Sequence, residues 1–468
     1  MKTPWLSHQY KRLPFVKHFT LWIKGRKFHI LINPSIGSWV ALSEKEFSKY
    51  EEGTLNSLIC ENLYLRQLNQ TEEGKIVSFS FPTPANYPSV VVINVTLRCN
   101  LFCKYCFAEC GPGDKTNDMG EKVIKEIVDQ MLQIPETKKI TFEFQGGEPF
   151  LNPEAIEFCA RYANKQAPKY NKIVSFRVES NGTLIDKRII GLLKKYKIKI
   201  GISLDGPEKL TNGARVYPNG KGAFQDIWRG VQLLRKNGIT IDGSVCTIGK
   251  HNVKHPKEIV DFFRKNHIGF KPRPVNILGR ELKNNMAPEN GDWYKCFVEM
   301  YHRSKKTGTV NFSIHIFEEN AYTPIRDYIC LRYPCGAARE IISVNPNGDV
   351  FPCDGFKGVQ EFKMGNILEE SIVEMLQKPW VQKLRNRTAA DIPTCRECLF
   401  RGMCCSCIYS CYGAFGDIYR EDPSHKDRYK IFIFLIKEWL RKNLKKSRDE
   451  KLKNINKKGG IPINYGRV

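Results

Sequence analysis

Cys99, Cys103 and Cys106, spaced C-x3-C-x2-C, are the residues of this 468-residue chain best placed to do chemistry. They follow directly on an apolar run, Ser89-Val-Val-Val-Ile-Asn-Val95, that reads as a buried strand. Three thiolates on one loop can hold three irons of a 4Fe–4S cluster. The fourth iron then has no protein ligand and is free to bind and cleave a small molecule.

The chain holds seventeen cysteines. No apolar stretch approaches the roughly 20 residues needed to span a bilayer, and the N-terminus has no apolar signal core, so a soluble cytoplasmic protein is expected. In a reducing compartment clustered cysteines point to metal or catalysis rather than disulfides. The clusters are 99–110, 330–353 and 395–411, whereas Cys60, Cys159, Cys246 and Cys296 read as small buried apolar residues.

These residues need a scaffold, and the chain from 86 supplies one. Strands are expected at 89–95, 139–144, 173–180, 198–204, 239–247 and 269–275, with helices at 121–132, 153–166, 186–196, 223–237 and 256–266 between them. Six such units imply a parallel sheet with crossover helices, whose chemistry sits at the C-terminal strand ends. The motifs obey that rule. The cysteines end the first strand, Gln145-Gly-Gly-Glu-Pro149 the second, Glu179-Ser-Asn-Gly-Thr183 the third and Ser203-Leu-Asp-Gly-Pro207 the fourth. Residues 1–85 read as a separate module: two strands around a turn at Gly25, a capping box at Ser43-Glu-Lys-Glu46 that opens a helix, and a second helix over 55–68. It is either a peptide-binding domain or a structural cap. From about 310 the β/α rhythm stops and a Cys-rich part begins.

Together these residues resemble the radical S-adenosylmethionine (radical SAM) superfamily. The carrying residues are Arg98-Cys-Asn-Leu-Phe-Cys-Lys-Tyr-Cys-Phe107, Gly146-Gly147-Glu148, Ser180-Asn181 and Ser203-Leu-Asp-Gly-Pro207, over roughly residues 86–300. The resemblance implies an α/β fold: a partial (β/α)6 TIM-like barrel over 86–310. It implies reductive cleavage of S-adenosylmethionine at the open iron to a 5′-deoxyadenosyl radical. On this reading Cys99, Cys103 and Cys106 hold the cluster. Tyr105, Phe107, Gly146, Gly147, Glu148, Ser180, Asn181, Ser203, Asp205 and Arg215 hold the cofactor. Glu148 accepts from the ammonium group, and Ser180, Asn181 and Ser203 serve ribose and carboxylate. Arg215 pairs with the methionyl carboxylate, and Phe107 with 245–248 faces adenine. The plain alternatives are a helix N-terminal charge for Glu148 and a surface arginine for 215.

The C-terminal part resembles the SPASM extension and its auxiliary clusters over 311–428, followed by a helix and basic tail over 429–468. Cys335, twelve residues, Gly348, four residues and Cys353 fit its opening, with Cys330 upstream. Cys395-x2-Cys398-x5-Cys404 fits its second half. Cys404, Cys405, Cys407 and Cys411 are then crowded, with His425 near the last expected position. Cys411 is expected to close the first auxiliary cluster with Cys330, Cys335 and Cys353. Cys395, Cys398 and two of Cys404, Cys405, Cys407 and His425 form the second. A zinc site on Cys395 and Cys398 is the non-redox alternative.

The resemblance leads to a maturase that crosslinks a ribosomal peptide, through a thioether or carbon bond, or to an anaerobic sulfatase-maturating enzyme that forms formylglycine. A winged-helix-like module over 1–85 that binds a leader peptide by strand pairing favours the first. In the second the base is an aspartate; here the matching stretch, Ile314-His-Ile-Phe-Glu-Glu-Asn320, puts Glu318 or Glu319 at the catalytic position. A reductant such as flavodoxin or ferredoxin is implied. The formal charge of +25 suits an acidic partner. No basic stretch is interleaved with aromatics as a nucleic-acid platform requires, so neither nucleic acid nor membrane is expected as a partner.

Overall fold

The computed structural model describes residues 16–35, 37–52, 86–322, 329–330, 335–404 and 406–451. The expected helix at 55–68 and Cys405 lie outside them. Six parallel strands, β4 (Val90–Thr96), β5 (Lys139–Gly146), β6 (Ile173–Ser180), β7 (Lys199–Ile202), β8 (Ile241–Ile248) and β9 (Phe270–Pro274), lie side by side in chain order. The crossover helices are α2 (Glu121–Gln133), α3 (Pro153–Gln166), α4 (Lys187–Tyr196), α5 (Phe224–Lys236) and α6 (Pro256–Lys265). Their starts are local: Pro153 and Pro256 stand in the first turn, and the Asp186 side chain accepts from the Ile189 amide. On α2, Val123, Ile124, Ile127, Val128 and Met131 make one buried stripe.

The strand pattern explains where the site is. Along β5, Ile140, Phe142 and Phe144 are buried, while Thr141, Glu143 and Gln145 between them are only half so. In β6, Phe176 and Val178 are buried and alternate with Arg177 and Glu179. Successive side chains on a strand point to opposite faces, and register aligns Glu143 with Val92 and with Arg177. The apolar face packs on the helices and the polar face looks into the barrel.

The Cys-rich part does not stand apart from this sheet. β10 (Ile341–Val344) pairs in parallel with β4, and β11 (Asp349–Phe351) and β12 (Gly365–Asn366) continue it, giving nine strands in one sheet. At the seam the buried Asn94 amide donates to Ser343 Oγ at 2.9 Å and to Asn345 Oδ1 at 3.1 Å.

Residues 16–52 form an antiparallel sheet, β1 (Lys17–Ile23), β2 (Arg26–Asn33) and β3 (Ser38–Leu42), and helix α1 (Glu44–Glu51) with its capping box on Ser43 and Glu46. This module rests on the Cys-rich part. Lys17 reaches Glu397 at 3.3 Å, Phe19 meets Phe400 edge-on, and Pro34 O accepts from the Gly402 amide at 2.8 Å. Three further helices complete the core: α7 (Asp292–Thr307), α8 (Phe312–Tyr322) and, near the end of the chain, α10 (His425–Lys451). Trp39 on β3 packs against Trp439 on α10 with ring centroids 5.2 Å apart. No helix of the described residues is long and apolar enough to cross a membrane.

Replacing Asn94 by Ala strands the seam's buried hydrogen-bonding groups, at a cost of about 1–3 kcal/mol. The urea midpoint of N94A should fall relative to wild type, and an unchanged midpoint contradicts the seam.

Candidate active site

The cysteine loop leaves β4 and is fixed by backbone contacts rather than by regular structure. The Cys99 amide donates to Gly111 O at 2.8 Å, Phe102 N to Val216 O at 2.7 Å and Lys104 N to Ala214 O at 2.9 Å. Arg98 grips Asp118 through Nε (2.9 Å) and Nη2 (2.6 Å). Arg280, which follows β9, is buried against the loop. It donates to Cys103 O at 3.0 Å and Cys110 O at 2.6 Å, and its guanidinium lies 3.9 Å over the Phe102 ring. Burial pushes the Cys99 thiol up to about 12 and the Cys103 thiol up to about 11. A bare thiolate is thus costly here, and a bound cation is what removes that cost. The Cys106 thiol is instead lowered by its hydrogen bond to Cys110, a fourth cysteine of the loop.

The second strand end approaches this loop as closely as backbone can. A Cβ on Gly146 would stand 2.0 Å from Thr96 O, and one on Gly147 2.0 Å from Arg98 O. Gly146 also has φ +134°, a region that favours glycine. Glu148 is wholly buried, and its pKa is pushed up to about 7 by burial. Its Oε1 accepts from Ser180 Oγ (2.8 Å) and Phe150 N (3.1 Å), and its Oε2 from Asn181 N (2.8 Å). These bonds join the second strand end to the third, and Oε2, with one donor on it, keeps acceptor capacity for the expected ammonium group.

The other polar candidates are similarly engaged. Asn181 donates to Asn100 Oδ1 at 2.9 Å, lies 3.9 Å from Cys99 Sγ, and accepts from Thr183. Ser203 Oγ donates to Glu179 Oε1 at 3.0 Å. Glu179 lies across Gly201, whose Cβ would meet Oε2, and burial pushes its carboxyl up to about 7. Asp205, fully buried, accepts from Tyr105 OH (2.5 Å), Arg215 Nη2 (3.1 Å) and Thr247 N (2.9 Å), and His251 Nε2 lies 3.5 Å away. Burial alone would raise its pKa; Arg215, His251 and Tyr105 outweigh burial and hold it below the usual carboxylate value.

Arg215 is accordingly no surface arginine. Only 6% of it is exposed, it lies 5.5 Å over the Tyr105 ring, and its Nε is buried with no hydrogen-bond partner. An orphaned guanidinium N–H, two glycines that let backbone close in, and three buried thiols on one loop fit a cluster with a small carboxylate-bearing ligand. Phe107 packs edge-on against Tyr409 at 5.6 Å.

The later cysteines fall into two groups. The Cys353 thiol lies in the field of Cys335, Cys407 and Cys330, and Cys330 in that of Cys335 and Cys407. Cys407 thus lies close to this group, and the expected Cys411 lies in turn in the field of Cys407. Cys411 sits on α9 (Ile408–Phe415), 3.6 Å from Arg387 Nη2 and 3.4 Å from Ser406 Oγ. The helix that begins after Cys407 carries Cys411 a full turn away. Cys404 lies in the field of Cys398 and Cys395, with Arg428 and Asp422 beside it. His425 opens α10, with Nδ1 3.1 Å from Asp422 O. Among the described residues no three His, Cys, Asp or Glu side chains gather as a single metal ion needs; thiols around a four-iron cluster stand farther apart. Glu318 and Glu319, expected at the catalytic position, lie on helix α8. Glu318 pairs with Lys305 Nζ at 2.8 Å and accepts from Tyr301 OH at 3.3 Å, both on α7.

Sequence reading passed over Arg280, Cys110, His251 and Lys357. Arg280 was within reach, because it follows the sixth strand, where the same rule places chemistry. Cys110 continues the cysteine spacing by one more x3 step.

Residues 93–263 match the family model described as Radical SAM superfamily, and 335–399 that of SPASM, an iron–sulfur cluster-binding domain. The serine-type anaerobic sulfatase-maturating enzyme of Bacteroides thetaiotaomicron is 24% identical over 67% of this chain and 81% of its own length. The antilisterial bacteriocin subtilosin biosynthesis protein AlbA of Bacillus subtilis is 29% identical over 70% of this chain and 68% of its own. The solved structure of anSMEcpe with bound AdoMet aligns over 74% of this chain and 97% of its own at TM-score 0.64 and 22% identity. Streptococcus suis SuiB bound to its precursor peptide SuiA aligns over 85% and 95% at TM-score 0.52 and 17% identity. At these identities the structures speak for the fold.

Two substitutions test the geometry. Gly147→Ala forces the cluster loop off Arg98 O, so anaerobically reconstituted G147A should lose iron and visible absorbance belonging to that loop while keeping the rest. Asp205→Asn leaves Arg215 buried without its counter-charge, at a cost of about 3–5 kcal/mol; a thermal midpoint equal to wild type contradicts the hub.

Proposed function

On the premise that this chain is a radical SAM enzyme with a SPASM iron–sulfur domain, working with 4Fe–4S clusters and S-adenosylmethionine, we propose that it is a maturase that installs an oxidative crosslink in a ribosomally made peptide. The observation that carries this reading is the antiparallel sheet ahead of the cluster strand. Among the described residues its outer strand β1 pairs with β2 alone, and Trp22 on it is 66% exposed. An extended leader segment can add to that edge by main-chain hydrogen bonds. The module abuts residues 397–402, so a peptide held there starts beside Cys398 and Cys404. AlbA, by its name, serves bacteriocin biosynthesis, and SuiB has been solved with a precursor peptide; both support the peptide class.

When bound, the first cluster and S-adenosylmethionine supply removal of a hydrogen atom from the target residue, and the auxiliary clusters take the remaining electron. The chain's own residues do the positioning. Arg215, held by Asp205 and Tyr105, offers its free Nε–H to a carboxylate. Gly146 and Gly147 let the ligand lie against backbone. Glu148 keeps the second and third strand ends in register. Within the barrel Glu179 is the carboxylate suited to take a proton near neutral pH. It is better placed than Glu318, which is ion-paired with Lys305.

Sulfatase maturation is the second reading, favoured by the relatives of that name. Mass spectrometry of a patterned peptide encoded beside this chain decides between them. Loss of two hydrogens with a new crosslink is expected; conversion of Cys or Ser to an aldehyde in a sulfatase peptide instead overturns the crosslinking maturase. Replacing Cys99, Cys103 and Cys106 together by Ala should abolish 5′-deoxyadenosine formation and leave iron bound in the C-terminal part.

A further inference from the structure

Lys357 belongs to the Cys-rich part, four residues after Cys353, yet its side chain ends among the motifs of the barrel. Nζ donates to Gly146 O at 3.1 Å and to Asp354 Oδ1 at 3.0 Å, and it lies 5.1 Å from the centroid of the Phe107 ring. The side chain is 4% exposed. Its backbone is fixed as well, since Lys357 O accepts from Asn345 Nδ2 at 2.7 Å and Asn345 in turn accepts from Asn94 on β4. The seam between the two parts thus aims this ammonium at the glycine turn.

Burial alone would lower the lysine's pKa, but Asp354 and the thiols of Cys110 and Cys106 raise it, so it remains charged. A buried point charge acts strongly on its surroundings because little solvent screens it. On one side stand Cys106 and Cys110 of the first loop, and on the other Asp354 and Cys353. Charges and hydrogen bonds outside the ligands tune a cluster's potential. A positive charge favours the state carrying one more electron.

We propose that Lys357 is a positioning residue that pins the Gly146-Gly147 turn from the C-terminal domain and raises the reduction potential of the cluster held by Cys99, Cys103 and Cys106. The same contact couples the two parts: displacement of the Cys353–Lys357 segment moves the turn on which the small ligand lies. The proposal rests on the radical SAM reading of the first loop and not on the peptide substrate.

The test uses full-length, anaerobically reconstituted protein without peptide. Lys357→Met should load iron as wild type does, shift the first cluster's midpoint to more negative potential in an EPR-monitored redox titration, and weaken S-adenosylmethionine binding by about tenfold, the usual scale for such outer-shell contacts. Lys357→Arg should restore the midpoint. Asp354→Asn removes the neighbouring negative charge and should shift the midpoint the opposite way. Iron-loaded K357M with wild-type midpoint and affinity overturns the proposal. So does a D354N shift in the same direction as K357M. If K357M loses its iron, D354N decides alone, and an unmoved midpoint there overturns the proposal. Because no readout involves the peptide, failure of the crosslinking assay leaves this result standing.

Discussion

One buried carboxylate holds the site together. Asp205 stands at the end of the fourth barrel strand with no access to water, and an unpaired charge there would be prohibitive. It is paid in full by Arg215, Tyr105 and the Thr247 amide. Each partner belongs to a different piece. Tyr105 is in the cysteine loop, Thr247 is on the next strand, and Arg215 is in the segment whose Ala214 and Val216 carbonyls fix the loop's backbone. The loop's backbone is therefore braced by three separate segments of the barrel. The buried Nε of Arg215 is left without a hydrogen-bond partner, on a side chain that protein braces.

A second constraint is the shared sheet. Because β10 pairs with β4, the strand that delivers the cysteines is flanked on both sides: by the glycine turn of β5 and by the Cys-rich part. The shared sheet thus ties the segment that carries Cys335 and Cys353 to the strand that delivers the first loop. The antiparallel sheet at residues 17–42 rests on the loop between Cys398 and Cys404, so the modules form a chain of contacts.

Residues of the right type at a strand end were legible in the sequence, but their partners were not. Ser180, Asn181, Ser203 and Glu148 carry groups a ligand could use, yet buried strand ends must first satisfy their own polar groups. Glu148 meets Ser180 and the Asn181 amide in that way, and Ser203 meets Glu179. Cys411 was expected beside Cys330, Cys335 and Cys353; a helix starts after Cys407 and sets Cys411 against Arg387 and Ser406. Glu318 was expected at the catalytic position; it lies on α8 and pairs with Lys305.

The sequence by itself determined the strand and helix order of the barrel, because apolar runs and capping residues act locally. It also determined the chemistry of the first loop, because three thiols within eight residues cannot be far apart in any fold. Only the tertiary structure decided that Asp205 meets Arg215 and Tyr105 in one buried site, that Glu318 pairs with Lys305, and that Lys357 reaches Gly146 across 211 positions. Those outcomes depend on which distant segments share one buried volume and must neutralise each other's charge there. No local pattern records that.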